Sequence, residues 1–313
     1  MGLSAASRRA GGRSSIAIVI EFAICLMVVL TGCSSSSPSG NSSGRSSEGS
    51  SGADRISVVA SLYPLQYVIE RVGADRVKVV NLTPPGAEPH DLELSPSQLE
   101  KIDTAAFVVV LGKGFQPSAE KAAVNRSGPT LTALDVILDT TSKNVDPHVW
   151  LDPSLLRPLV DAVAERLIAA DEASKELFVA NAAALKRDLV DLDTRLTEGL
   201  ASCERRTIVT SHDAFARLAQ RYRLTNEGIA GFSPDAEPSP DRLAALAKLV
   251  KQTGTTTVFT EQLVSPAVAE TLARETGAAV EILNPIEGRP KTGDYLSAMN
   301  DNLAKLRTAL ACK

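Results

Sequence analysis

The sequence has 313 residues, a net charge of −4, an apolar fraction of 44% and only 4% aromatic residues. That much apolar content supports a core for one large domain or two ordinary ones. The lack of a basic excess argues against nucleic acid as a partner, and the scarcity of aromatic rings argues against platforms for stacking bases or sugars.

At the N-terminus, Arg8, Arg9 and Arg13 precede an apolar run from Ile16 to Leu30 broken only by Glu21. The run is shorter than the roughly 20 residues a membrane-spanning helix needs, so residues 1–33 are predicted to be a signal peptide. Leu30-Thr31-Gly32-Cys33 looks like a bacterial lipobox, which would make Cys33 a lipidated mature N-terminus and the protein exported and anchored to the outer face of the cytoplasmic membrane. Residues 34–53 are almost all Ser and Gly. A chain of this composition is a flexible tether with a reach of roughly 25 Å.

The folded part is predicted to begin at residue 54. Ile56 to Leu62 reads as a strand, Pro64 to Val72 as a helix, and Val77 to Leu82 as a second strand stopped by Thr-Pro-Pro-Gly. Ser95, Pro96 and Gln98 form a capping-box start for a helix. Ala105 to Leu111 is a continuous apolar run, as in a parallel strand buried on both faces. From Asp152-Pro153 a helical region reaches Cys203 with one break near Asp171 to Ser174, and leucines 185, 189, 192 and 196 recur at helical spacing. From Ser174 to Ser202 such a helix would be roughly 40 Å long, more than a crossover needs, and suits a rigid bridge. Alternation then resumes: a strand from Thr207 to Thr210, a helix to Tyr222, strands at Val258 to Thr260 and Ala279 to Leu283, and a closing helix. Ser239-Pro240 and Ser265-Pro266 each read as an N-cap with a first-turn proline. The expected fold class is therefore α/β, in two lobes (54–155 and 204–313), each a mostly parallel sheet flanked by helices and joined by one long rigid helix within 156–203.

The three histidines all fall in loops after strand-like runs: His90 in Glu88-Pro89-His90-Asp91, His148 in Asp146-Pro147-His148-Val149-Trp150, and His212 in Ser211-His212-Asp213. Ligands of open α/β sheets bind beyond the carboxyl ends of strands, and three neutral imidazoles with one carboxylate suit zinc. Glu287, after the last strand, is the candidate carboxylate; the alternative is a solvated loop residue. Asp146, Asp152 and Asp213 are candidates for accepting a ring N–H and fixing its tautomer, with helix capping the competing role of Asp152 and Asp213. Glu88 and Glu93 read as surface charges, and Glu261 as a loop hydrogen-bonding residue, with contact to metal or transporter the alternative. Cys203 and Cys312 are the two cysteines beyond the leader, read either as one disulfide or as two buried thiols.

Four stretches together, Pro-His-Asp-Leu-Glu-Leu-Ser-Pro, Asp-Pro-His-Val-Trp-Leu-Asp-Pro, Thr-Ser-His-Asp-Ala-Phe and Asn-Pro-Ile-Glu-Gly, resemble the metal-binding solute receptors of bacterial zinc and manganese ABC importers. The resemblance runs from about Ile56 to the C-terminus. It implies capture of a divalent ion between two lobes by His90, His148, His212 and a C-terminal carboxylate, followed by delivery to a membrane permease. Three histidines resemble the zinc receptors, since manganese members commonly carry a carboxylate in the third place. The resemblance also implies a disulfide between Cys203 and Cys312 within the second lobe, and receptors of this kind are sometimes reported as adhesins. The chain lacks the histidine-rich loop of some zinc members. It is expected to be a monomer and not an enzyme. The competing enzyme reading is a zinc hydrolase with three imidazoles and an open fourth position holding water; the chain has no phosphate loop, nucleophile elbow or His-Glu-x-x-His helix to favour it.

Overall fold

The structure, a computed structural model, describes residues 55–138 and 145–313. The expected signal peptide, the Ser/Gly tether and Cys33 lie outside the described residues.

Two four-stranded parallel sheets carry the fold. The first is ordered β2-β1-β3-β4, from β1 (Ile56–Ala60), β2 (Val77–Asn81), β3 (Phe107–Val110) and β4 (Thr130–Thr132). The second repeats this order as β6-β5-β7-β8, from β5 (Thr207–Thr210), β6 (Thr225–Gly228), β7 (Thr257–Thr260) and β8 (Ala279–Ile282). Alternation splits the central strands of each sheet between two cores. Val58 and Ala60 of β1, with Phe107 and Val109 of β3, face a large inner core, while Val59, Val108 and Val110 face an outer one. The second sheet does the same, with Ile208 and Phe259 inward and Val209 and Val258 outward.

The first sheet is covered by α1 (Tyr63–Gly73), α2 (Pro96–Thr104), α3 (Pro117–Asn125), α4 (Ala133–Ile137) and α5 (Arg157–Ala170). Ser95 and Gln98 form the reciprocal capping box their spacing predicts. The long helix is α6 (Lys175–Gly199), 25 residues or about 37 Å of helix; it stops three residues short of the expected end. Its buried residues, Phe178, Ala182, Leu185, Leu189, Leu192 and Leu196, alternate in steps of four and three, giving one apolar stripe that packs on α1 and α5.

The second sheet is flanked by α7 (Ala216–Arg221), α8 (Pro240–Thr253), α9 (Ala267–Thr276) and α10 (Tyr295–Leu310), and α10 also packs on α6. A single inner core therefore runs from α1 and α5 through α6 to α10. Ser239 caps α8 as expected. At Ser265-Pro266 the expected register is one residue early, because Pro266 itself is the N-cap of α9. The Cys203–Cys312 disulfide is formed, closing the end of α10 onto the segment that enters the second lobe.

Candidate metal centre

Both sheets reverse strand order between their first and third strands, and loops at such reversals diverge to leave a crevice at the carboxyl ends. In the second sheet the two strands flanking the reversal are β5 and β7. His212 follows β5 by two residues and Glu261 follows β7 directly, so the reversal sets them side by side. His90 lies on a 3-10 turn (Pro89–Asp91) after β2, and His148 caps another (Val149–Leu151) after α4. Glu287 lies beyond β8.

These segments meet. His90, His148, His212 and Glu287 each present a ligand atom, all within 4.8 Å of one another. Glu287 Oε1 is 3.6 Å from Nε2 of each imidazole, and the Nε2 atoms of His148 and His212 are 3.4 Å apart. These separations are too long for good hydrogen bonds. They are close to the roughly 3.4 Å edges of a tetrahedron whose four corners stand about 2.0–2.1 Å from a central ion. His148 and His212 are wholly buried and Glu287 nearly so. His90 Nε2 and Glu287 Oε1 are buried atoms without a hydrogen-bond partner, a costly condition unless something else takes their lone pairs.

Two of the imidazoles are anchored from behind by a carboxylate. Asp146 Oδ1 accepts both the main-chain N–H and the Nδ1–H of His148, at 3.0 and 2.9 Å. Glu261 Oε1 does the same for His212, at 3.3 and 2.8 Å. With Nδ1 held in this way, the Nε2 edges of both rings face Glu287 and each other. Glu88 Oε1 accepts the main-chain N–H of His90 at 3.2 Å. The His90 loop is further held by Gln116, whose buried amide donates to Pro89 O, Ser61 O and Thr83 Oγ1. Phe115 lies against the His90 ring, with centroids 4.3 Å apart.

The charges follow from this packing. Burial opposes the protonated form of His212, but the carboxylates of Glu261 and Glu287 outweigh it and raise its pKa to about 10. His148 is raised in the same way, burial being outweighed by Asp146 and Glu287. Burial would raise Glu287, yet the imidazoles around it pull it well below the usual carboxylate range. Glu88 is pushed up to about 7 by burial and by the nearby charge of Glu287. Without a cation the cluster thus holds protons that a metal ion must displace.

The family profile described as zinc-uptake complex component A, periplasmic, matches residues 58–309. The chain belongs to this family. Among curated relatives, the high-affinity zinc uptake system protein ZnuA of Bacillus subtilis is 32% identical over 88% of this chain and 93% of its own length. The zinc-binding lipoprotein AdcA of Streptococcus pneumoniae is 32% identical over 81% of this chain, which spans only 55% of that longer protein. The structure of the laminin-binding protein Lmb of Streptococcus agalactiae, described as bifunctional with adhesin and metal-transporting activity, superposes with a TM-score of 0.76 at 31% identity. It covers 82% of this chain and 99% of its own. The Zn(II)-bound ZnuA-like domain of S. pneumoniae AdcA gives 0.71 at 33% identity, over 82% and 99% of the two chains.

In this member of the zinc-uptake component family, Asp213 and Glu88 differ from their expected places, and Asp152 takes the capping role that competed with ring contact. Asp213 does not reach His212: it starts a 3-10 turn and accepts from Asn226 Nδ2 at 2.6 Å. Asp152 caps the 3-10 turn Pro153–Leu156, accepting from the N–H and hydroxyl of Ser154 at 2.9 and 2.6 Å. Glu88 is not a surface charge, since its side chain is only 17% exposed and stands 3.9 Å from His90 Nε2. Glu93 is exposed, as expected. Glu261, read from the sequence as a loop hydrogen-bonding residue, does hydrogen-bond, and the partner that the sequence did not name is His212. The position of Glu261 immediately after an apolar strand was the available signal, the same one that singled out His212.

Proposed function

We propose that the chain is an extracytoplasmic receptor that captures a divalent metal ion, Zn2+ in preference to Mn2+, between its lobes and delivers it to the permease of an ABC importer. His90, His148, His212 and Glu287 are the ligands in this reading, with Asp146 and Glu261 holding two of the rings. The carrying observation is the meeting of three Nε2 atoms on one buried carboxylate oxygen at equal 3.6 Å separations. Three imidazoles and one carboxylate favour zinc over manganese, which prefers more oxygen donors. Four protein donors also leave no open position for an activated water, which favours capture over hydrolysis. Family membership and the zinc-binding names of the relatives support the same cargo.

In the same reading, residues 1–33 direct export, Cys33 carries the lipid and residues 34–53 tether the receptor to the membrane beside its permease. Residues 54–155 and 204–313 are the two lobes and 156–203 the helical bridge. The test is elemental analysis with zinc titration of the purified wild type beside His90→Ala, His148→Ala and His212→Ala. One zinc per chain is expected, lost or greatly weakened in each variant. Full stoichiometry at unchanged affinity in all three would sink the reading.

A further inference from the structure

Glu287 sits on a turn that carries a strained residue. Ile286, the residue before it, has φ +59°, a left-handed conformation that is a marked outlier for a β-branched side chain and persists only when its surroundings enforce it. Part of the enforcement is local to the second lobe. Asn302 on α10 exchanges two hydrogen bonds with Asn284, whose side chain accepts from Ile286 N–H. The remaining hold comes from the first lobe: the buried Trp150 indole N–H donates to Pro285 O at 2.7 Å. Trp150 is itself fixed by Tyr295, whose hydroxyl donates to the Trp150 carbonyl at 2.5 Å. Trp150 belongs to the short 3-10 turn that His148 caps.

We infer that Trp150 is a positioning residue for metal binding, setting the Glu287 carboxylate against His148 by bolting the Asn284–Glu287 turn to the turn that carries that histidine. This rests on the reading of Glu287 as a ligand. Two ligands from different lobes are then one mechanical unit, and the strain at Ile286 is held by a bond across the cleft. Loss of the indole N–H lets the turn relax and the carboxylate drift from the point its three imidazole partners share.

The test is a double-mutant cycle in zinc affinity, measured by competition with a chromophoric chelator on the full folded domain. Trp150→Phe keeps the ring and removes the donor; it is expected to weaken zinc binding by roughly tenfold or more, as supporting bonds behind metal ligands do. In a Glu287→Gln background the same change is expected to cost almost nothing, whereas in a His90→Ala background it keeps its full factor. A purely structural tryptophan would multiply its factor onto both backgrounds, and that result, or Trp150→Phe binding within twofold of wild type, overturns the inference. If Trp150→Phe does not fold, Tyr295→Phe takes its place, with a smaller loss and the same dependence on Glu287. Wild-type affinity in Glu287→Gln alone would instead remove the reading on which the inference stands.

Discussion

Replacing Glu261 by glutamine tests the electrostatics of the centre without removing a ligand. Gln keeps an acceptor oxygen beside Nδ1 of His212, now 2.8 Å from Glu261, and deletes a buried charge. In the native site burial opposes protonation of His212, but Glu261 and then Glu287 reverse this and hold the ring's pKa at about 10. A group titrating there is about 99% protonated at pH 7.5, whereas one returned towards 6.5 is about 10% protonated. Zinc must displace that proton, so Glu261→Gln is expected to release up to about 0.9 fewer protons per ion bound. Calorimetric titration in buffers of different ionisation enthalpy at pH 7.5 measures this directly. The affinity corrected for proton competition is expected to fall about 10–100-fold, as it does when a carboxylate behind a metal-bound histidine is lost, or about 1.4–2.7 kcal/mol. Proton release equal to that of the wild type would refute the assignment of Glu261 as the group that charges His212.

Zinc affinity of the wild type should weaken by at least about 100-fold between pH 7.5 and 5.5, one displaced proton giving tenfold per unit; equal affinities would count against imidazole ligation. For the metal-free protein the sign runs the other way: His212 is raised to about 10 from 6.5, so its contribution to stability is whole below pH 6.5 and is lost as pH climbs towards 10. Thermal midpoints of the metal-free form should fall across that window and those of the zinc-loaded form should not; a flat metal-free profile would contradict the shift. Fluorescence of Trp150, the single tryptophan, should change on zinc addition because its ring lies 5.3 Å from that of His148; a silent titration alongside calorimetrically complete binding would place the ion elsewhere. Changing both Cys203 and Cys312 to alanine removes a cross-link between residues 109 apart and should lower stability by up to about 4–5 kcal/mol, read as an earlier denaturation midpoint with zinc stoichiometry intact.

The short apolar runs of most strands, the capping box at Ser95 and the four-three spacing along α6 were all legible in the chain. Each is a short-range regularity that a few neighbouring residues express by themselves. His90, His212 and Glu287 were legible because each follows a strand and parallel strands present their carboxyl ends on one edge, whereas His148, also read as following a strand-like run, follows helix α4. Strand β6, Thr225-Asn226-Glu227-Gly228, carries no such pattern and is recognisable only by its pairing with β5.

What local sequence did not decide was which acid serves which ring. Asp213 adjoins His212 in the chain but turns away to Asn226, while Glu261, 49 residues on, takes the ring instead. The sheet order β5-β7 makes them neighbours, and sheet order is a property of the packed core rather than of any window of residues. The same holds for Trp150 and Pro285, joined across 135 residues, and for Glu88, which feels the charge of the second lobe's Glu287. Composition and periodicity determined most of the strands and helices and the loops that carry the three histidines. Only tertiary packing decided their partners, because hydrogen bonds and charges act through distances that the fold, not the chain order, creates.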